Sequence, residues 1–387
     1  MKCAAVLSFI LLATPPLTAQ TSDQITFQRT FLLRNVSGTG SNPGPTPHHP
    51  HLITHGDWTT FFEGSAFLTY VSETGPKVQD SAGFSTNWFA AGAQRSLGSR
   101  GLVLFRARVS AEPLTIPRKG YPQLLQEISP ESGGPLLDHM RAHELLGEVA
   151  AHVAWRTSTA SYAHLYVAPV GDPPVGAVPF AQRASSEEFA EAPFAYDVQE
   201  PFHYATRVVT AGWSSNLFAV EGGVFHHAIT RDRHTTIEDG AIDSWAARLT
   251  ITPISNIALQ VSRASLTDTN RELTSASLSY GTERVSASAI YTKRDSLTAG
   301  SVEATLHLSR NTLMARVETV DRPSIGRRTS DFAVGYIFDF IAGHGYRTGI
   351  GINVDYHTST HAYTTQYGHK PQSVYLFARI RTDSLRR

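Results

Sequence analysis

From Asp57 onward, apolar and polar side chains alternate in segment after segment. In Ser301–Val320, Val302, Ala304, Leu306 and Leu308 alternate with Glu303, Thr305 and His307. After a short polar break, Leu313, Ala315, Val317 and Thr319 alternate with Met314, Arg316 and Glu318. Successive side chains of a strand point to opposite faces, so this stretch predicts a hairpin with one greasy and one charged face. The same pattern gives about sixteen strands, near 58–72, 82–97, 100–111, 144–157, 159–170, 204–215, 216–230, 241–253, 256–266, 271–280, 283–293, 297–309, 311–321, 329–341, 345–357 and 372–382. Small, β-branched and aromatic residues dominate them, as suits a pleated surface.

The connections alternate between short and long. The short series falls at 96–100, 156–159, 214–216, 252–255, 281–283, 309–311 and 342–345. The other series includes 73–81, 112–143, 171–203, 231–240 and 358–371, with smaller members at 267–270, 294–296 and 322–328. A soluble β-sandwich has no reason to keep its tight turns on one end. An antiparallel transmembrane β-barrel does, with short periplasmic turns, long extracellular loops and an even strand number. A secreted sandwich used for binding is the alternative that alternation alone leaves open.

The two faces sharpen the expectation. Val103, Phe105, Ala107 and Val109 alternate with Arg106 and Arg108, and Val149, Ala151, Val153 and Trp155 alternate with Glu148 and His152. Ala247, Leu249 and Ile251 flank Arg248, and Val374, Leu376, Ala378 and Ile380 flank Arg379. A charge facing lipid at mid-depth costs about 2–4 kcal/mol, whereas one facing a wet lumen costs little. Arg106, Arg108, Glu148, His152, Arg207, Glu221, Arg248, Glu303, His307, Arg316, Glu318 and Arg379 are therefore expected to line a lumen, either tuning passage or bonding across strands to fill it. Trp58, Tyr70, Trp88, Trp155, Trp213 and Trp245 are expected near the membrane interfaces.

Composition adds compartment and organisation. Lys2 and the apolar run Ala4–Ala13 read as a signal peptide over residues 1–20, with cleavage near Ala19. Cys3 is the sole cysteine, so the exported chain would owe nothing to disulfides. No later apolar run approaches the roughly 20 residues of a membrane-spanning helix. Lys and Arg number 33 against 33 Asp and Glu, which argues against a general nucleic-acid binder. Residues 21–56 form a Pro- and His-rich leader, expected as a linker or a small plug, and 57–387 the barrel.

Seventeen histidines invite a metal reading. His48, His49, His51 and His55 cluster in the leader and could offer imidazoles to Zn²⁺ or Cu²⁺. His139 and His143 would share one face if their stretch were helical. No His-Glu-x-x-His helix, Gly-x-Ser-x-Gly elbow or phosphate-binding glycine loop is present, so no catalytic residue is assigned and no cofactor beyond a metal is expected.

Several local motifs occur in a fixed order: Asp57-Trp58, Asn87-Trp88, Glu112-Pro113, Gly120-Tyr121-Pro122, Phe180 to Arg183, His203, Val209 to Gly212 and Asp243-Ser244-Trp245. Together they resemble a family of uncharacterised exported proteins of Gram-negative bacteria presumed to be outer-membrane barrels, over roughly residues 57–266. Where that family carries Gln-His-Pro-His-Asp, this chain reads Met140-Arg141-Ala142-His143-Glu144 and keeps one histidine and one acid. The combined expectation is an outer-membrane barrel acting as a porin-like passive channel, in contact with lipid, barrel-assembly machinery and small polar solutes, and with no nucleic acid. A barrel whose leader and loops bind or sense a transition metal is the alternative.

Overall fold

A computed structural model describes residues 22–74, 80–128, 136–200, 205–227, 235, 237–238, 240–266, 271–322, 327–343, 345–359, 367–368 and 370–383. The expected signal peptide and His203 lie outside them. Sixteen antiparallel strands close into a barrel. They are β1 (Trp58–Thr74), β2 (Ser81–Phe84 and Asn87–Leu97), β3 (Gly101–Val109), β4 (Leu146–Arg156), β5 (Ser161–Gly171), β6 (Ala205–Ser215), β7 (Phe218–His227) and β8 (Ser244–Ile254). The circuit continues with β9 (Ile257–Leu266), β10 (Arg271–Gly281), β11 (Val285–Arg294), β12 (Leu297–Leu308), β13 (Asn311–Arg322), β14 (Arg327–Gly343), β15 (Tyr346–Ser359) and β16 (Gln372–Thr382). Each strand pairs with the next, and β16 returns to β1 from Gln372↔Thr74 to Arg381↔Ser65. One closed sheet replaces the two packed sheets of the sandwich alternative, and closure leaves no long edge unpaired.

The short series of connections is real. The turns β2–β3, β4–β5, β6–β7, β8–β9, β10–β11, β12–β13 and β14–β15 gather at one end, with the start of β1 and the end of β16. Gly98, at φ +66, takes the left-handed conformation that the first of these turns needs. The long connections gather at the other end. A short strand, His51–His55, turns at Gly56 and pairs with the start of β1, from His55↔Trp58 to His51↔Phe62.

Alternation sorts the faces as the pattern predicts. Val302, Leu313, Val317, Leu376 and Ile380 are exposed on the outside, and Glu303, Arg316, Glu318 and Arg379 are buried within. Charges on the outer face, such as the exposed pair Arg263–Glu272, sit near strand ends. Among the described residues no helix is long and apolar enough to cross a membrane; the outward apolar band belongs to strands.

Two expectations are corrected here. Arg207 points outward and is exposed, because it keeps the parity of the outward residues Val209, Ala211 and Trp213 in a strand whose register against β5 is unbroken. Trp88 lines interior space with Ser65 and Glu187, whereas Trp155, Trp213, Trp245 and Tyr70 are exposed on the outer wall. Trp58 stacks on Phe105, a residue of the outer face of β3, with ring centroids 6.4 Å apart.

The leader is folded. Helix α1 (Ser22–Arg34) is followed by a miniature hairpin, Asn35–Ser37 with Gly40–Ser41. Phe31 and Leu32 of α1 bury against Phe61, Leu102, Leu104 and Ala154, inward residues of β1, β3 and β4. The leader therefore lies inside the barrel toward the short-turn end.

Candidate functional site: a filled lumen

Apart from Arg207, the expected lumen charges face inward, and most of them meet an inserted segment of the chain. The turn of the leader hairpin meets the charges of β3 and β4: Arg106 donates from Nη2 to Gly38 O at 2.8 Å and pairs with Glu148 through Nε at 2.8 Å. Tyr166 donates to the same Glu148 at 2.7 Å. Arg108 bonds Ser37 of the leader and Asp172 at the base of the β5–β6 loop, so leader and loop share one cation. Farther round, Arg248 joins Glu221 to Thr39 of the leader. His152 faces no carboxylate; it lies 3.1 Å from His164 and packs on Phe31.

The β5–β6 loop, from Asp172 to Glu200, crosses the lumen and is almost entirely buried. Its charged residues engage the opposite wall one after another. Arg183 pairs with Glu303 at 2.5 Å and with Glu200 of its own loop at 2.8 Å. Glu188 bonds Arg379 and pairs with Arg381 at 3.1 Å. Glu191 accepts from Arg316 at 2.9 Å, and Arg316 is held on its other side by Glu318. The backbone N–H groups of Phe194 and Ala195 both donate to Glu318. His307 is half-buried, 3.9 Å from Glu188. Wall charges buried this way are paired and hydrogen-bonded, the condition under which ions persist in a dry interior.

The β3–β4 loop closes the other end. It carries the paired strands Tyr121–Ile128 and Leu136–Met140. Glu112 anchors its base: one carboxylate oxygen accepts from Asn87 N, and the other from His143 N at 2.7 Å. The ring of His143 bonds the same carboxylate at 2.7 Å; burial alone would lower its pKa, and the Glu112 charge outweighs this to raise it.

The metal candidates are dispersed rather than gathered. His48 is bound between Leu33 O and Glu63, and the Glu63 charge raises its pKa against the opposing effect of burial. His49 sits 3.1 Å from Asp383, yet burial and then Arg381 hold its pKa near about 4. His51 packs on Phe62, and His55 is exposed. His139 is 3.4 Å from Asp80 and lies on a strand; His143 follows in irregular chain. The helix that would set His139 and His143 on one face is therefore absent, and each has a carboxylate of its own.

One constellation was missed in the sequence. Asp331, Asp355 and His357 are buried together, each offering a ligand atom within 4.8 Å of the others. Asp355 and His357 are two apart on β15, hence on one face, and His357 opposes Asp331 of β14 directly. That spacing across a hairpin was the available signal.

Two spaces remain beside the inserted segments. A cavity of about 410 Å³ lies between α1 and the β5–β9 side of the wall, lined by Phe31, Arg34, Arg156, Glu221 and Arg248. A cleft of about 70 Å³, bounded by Trp88, Glu112, His143, Phe180 and Glu200, lies beside the crossing loop.

A closed sixteen-stranded antiparallel barrel, apolar outside and crossed inside by a long loop, is a porin-type fold. An anion-selective porin from Comamonas acidovorans superimposes with a TM-score of 0.55 at 11% identity, over 84% of this chain and 99% of that one. OmpF of Salmonella typhi, solved with daunomycin, gives 0.54 at 10% identity over 86% of this chain and 100% of its own. Neither a protein-family model nor a curated protein sequence matches the chain.

Proposed function

We propose that this chain is a porin-type barrel of the Gram-negative outer membrane that passes small polar or ionic solutes through a constricted lumen and catalyses no reaction. In this reading the short-turn end is periplasmic, the outward apolar band meets lipid, and the chain reaches the membrane by export and the barrel-assembly machinery. Membership of the exported barrel family that its motifs resemble belongs to the same proposal.

The observation that carries it is the use made of the wall charges. Sixteen strands enclose an aqueous bore unless something enters it. Here Arg106, Arg248, Glu303, Arg316 and Arg379 bind the leader or the Asp172–Glu200 loop, which leaves a charged cavity beside α1 and a smaller, mainly apolar cleft beside the loop. The expected solute path runs through these spaces, so conductance should fall well below that of an open barrel of this size.

Planar-bilayer recording tests this. The native chain should give small, resolvable single-channel events, and a variant lacking residues 22–50 should give larger ones. Silence from both, with each migrating as a folded, heat-modifiable barrel, refutes the channel reading.

A further inference from the structure

We infer that Asp331, Asp355 and His357 form a binding site for one divalent transition-metal ion inside the barrel, between β14 and β15.

Three independent observations support it. The first is charge. Glu191, Glu318, Asp331 and Asp355 surround a single guanidinium, that of Arg316, which is committed to Glu318 and Glu191 at 2.8 and 2.9 Å. Asp331 and Asp355 are left in a dry interior without an arginine or lysine partner. Uncompensated buried carboxylates are costly, and a dication at this point supplies the missing charge.

The second is the orientation of the ligand atoms. His357 Nδ1 and Asp331 Oδ1 are 2.9 Å apart, yet they are not aligned as a hydrogen bond. Neither oxygen of Asp331 and not the Nδ1 of His357 has any hydrogen-bond partner, although the two residues are 2% and 1% exposed. With His357 in the tautomer that leaves Nδ1 unprotonated, these lone pairs face a common point, as ligands do.

The third is the surrounding support. His357 Nε2 lies 3.1 Å from Ser373 Oγ, and Asp355 Oδ1 accepts from Asn353 Nδ2. The Ser373 contact holds the imidazole ring in place and so sets the direction in which Nδ1 points. Asn353 also donates to Glu191 at 3.0 Å, so the site is coupled to the loop that crosses the lumen.

One imidazole and two carboxylates form a mixed nitrogen–oxygen set. It suits Zn²⁺ or Mn²⁺ better than Ca²⁺, which takes six to eight oxygens, or Cu(I), which seeks thiolates and thioethers. The site shares no residue with the histidines of the leader or the β3–β4 loop.

The test is to refold the full chain into detergent with Zn²⁺, desalt it, and count bound metal by plasma mass spectrometry. Native protein should retain one Zn²⁺ per chain. D355N and H357Q, each verified as folded by heat-modifiable migration, should lose the bound Zn²⁺ on desalting, and the fourfold His48, His49, His139 and His143 to Ala variant should retain it as the native chain does. Because a variant could misfold, visible absorption of the native chain with Co²⁺ is recorded too, and should show mixed nitrogen–oxygen coordination that added Zn²⁺ abolishes. Folded native protein without Zn²⁺, retention unchanged in D355N and H357Q, or loss of binding in the fourfold variant would each overturn the site. None of these outcomes depends on conductance.

Discussion

Arg183 of the crossing loop donates to Glu303 of β12 and, through Nη1, to Glu200 at the far end of the same loop. One side chain thus ties the loop to the wall and to itself. Removing one partner of a buried ion group leaves the others uncompensated, at a cost of about 3–5 kcal/mol. Arg183→Met should release the loop: protease cleavage between 172 and 200 should accelerate and single-channel conductance rise. A variant with native cleavage kinetics would assign the loop's position to other contacts.

The outer wall makes a prediction of opposite kind. Val302 is exposed at the middle of β12, next to the buried Glu303. Val302→Arg should destabilise the folded barrel by about 2–4 kcal/mol in lipid vesicles. Arg263→Ala, on the exposed pair near a strand end, should change it by less than about 1 kcal/mol. Urea titration of vesicle-embedded protein measures both.

Two adjacent histidines should respond to pH with opposite signs. The pKa of His48 is raised in the folded chain, so its contribution is complete below about 6.5 and is lost as pH rises through the folded value. His49 is held near about 4, so its contribution is present above about 6.5 and declines as pH falls toward that value. His48→Gln should therefore weaken the leader most at the acidic end of the range from pH 5 to 8. His49→Gln should make the leader less acid-sensitive than in the native chain. Leader protection by hydrogen exchange across that range is the measurement.

Gly281, at the end of β10, lies against the leader, and a Cβ built there would collide with Thr46. Gly281→Val should displace the 43–46 stretch, at a cost of about 1–3 kcal/mol, while the strands stay paired. Faster thermolysin cleavage in the leader with unchanged far-ultraviolet dichroism is the expected result.

These variants also mark how far the sequence could be read. Glu303, Arg316 and Arg379 were placed inward because a strand has a period of two and each stood opposite an apolar row. Arg207 obeys the same rule: it stands an even number of positions from the outward Trp213, so strand parity puts it on the outer face despite its charge. The lumen's contents were beyond reach. Arg183, Glu188 and Glu191 lie in a loop without periodicity, so the sequence could not pair them with Glu303, Arg379 and Arg316. Histidine density draws a metal reading to His48, His49, His139 and His143, each of which has an acid at hand in the fold. The compact trio Asp331, Asp355 and His357 needed strand register, not abundance, to be seen.

His49 precedes β1 and Asp383 follows β16, and the two meet where those strands join. That seam unites parts of the chain about three hundred residues apart, and the entropy of drawing such distant ends together grows with the logarithm of the separation. The leader occupies the space that the seam encloses, and it belongs to the first part of the chain. A finished cylinder would have to admit a folded helix through one mouth, whereas an unfinished, curled sheet can wrap around it.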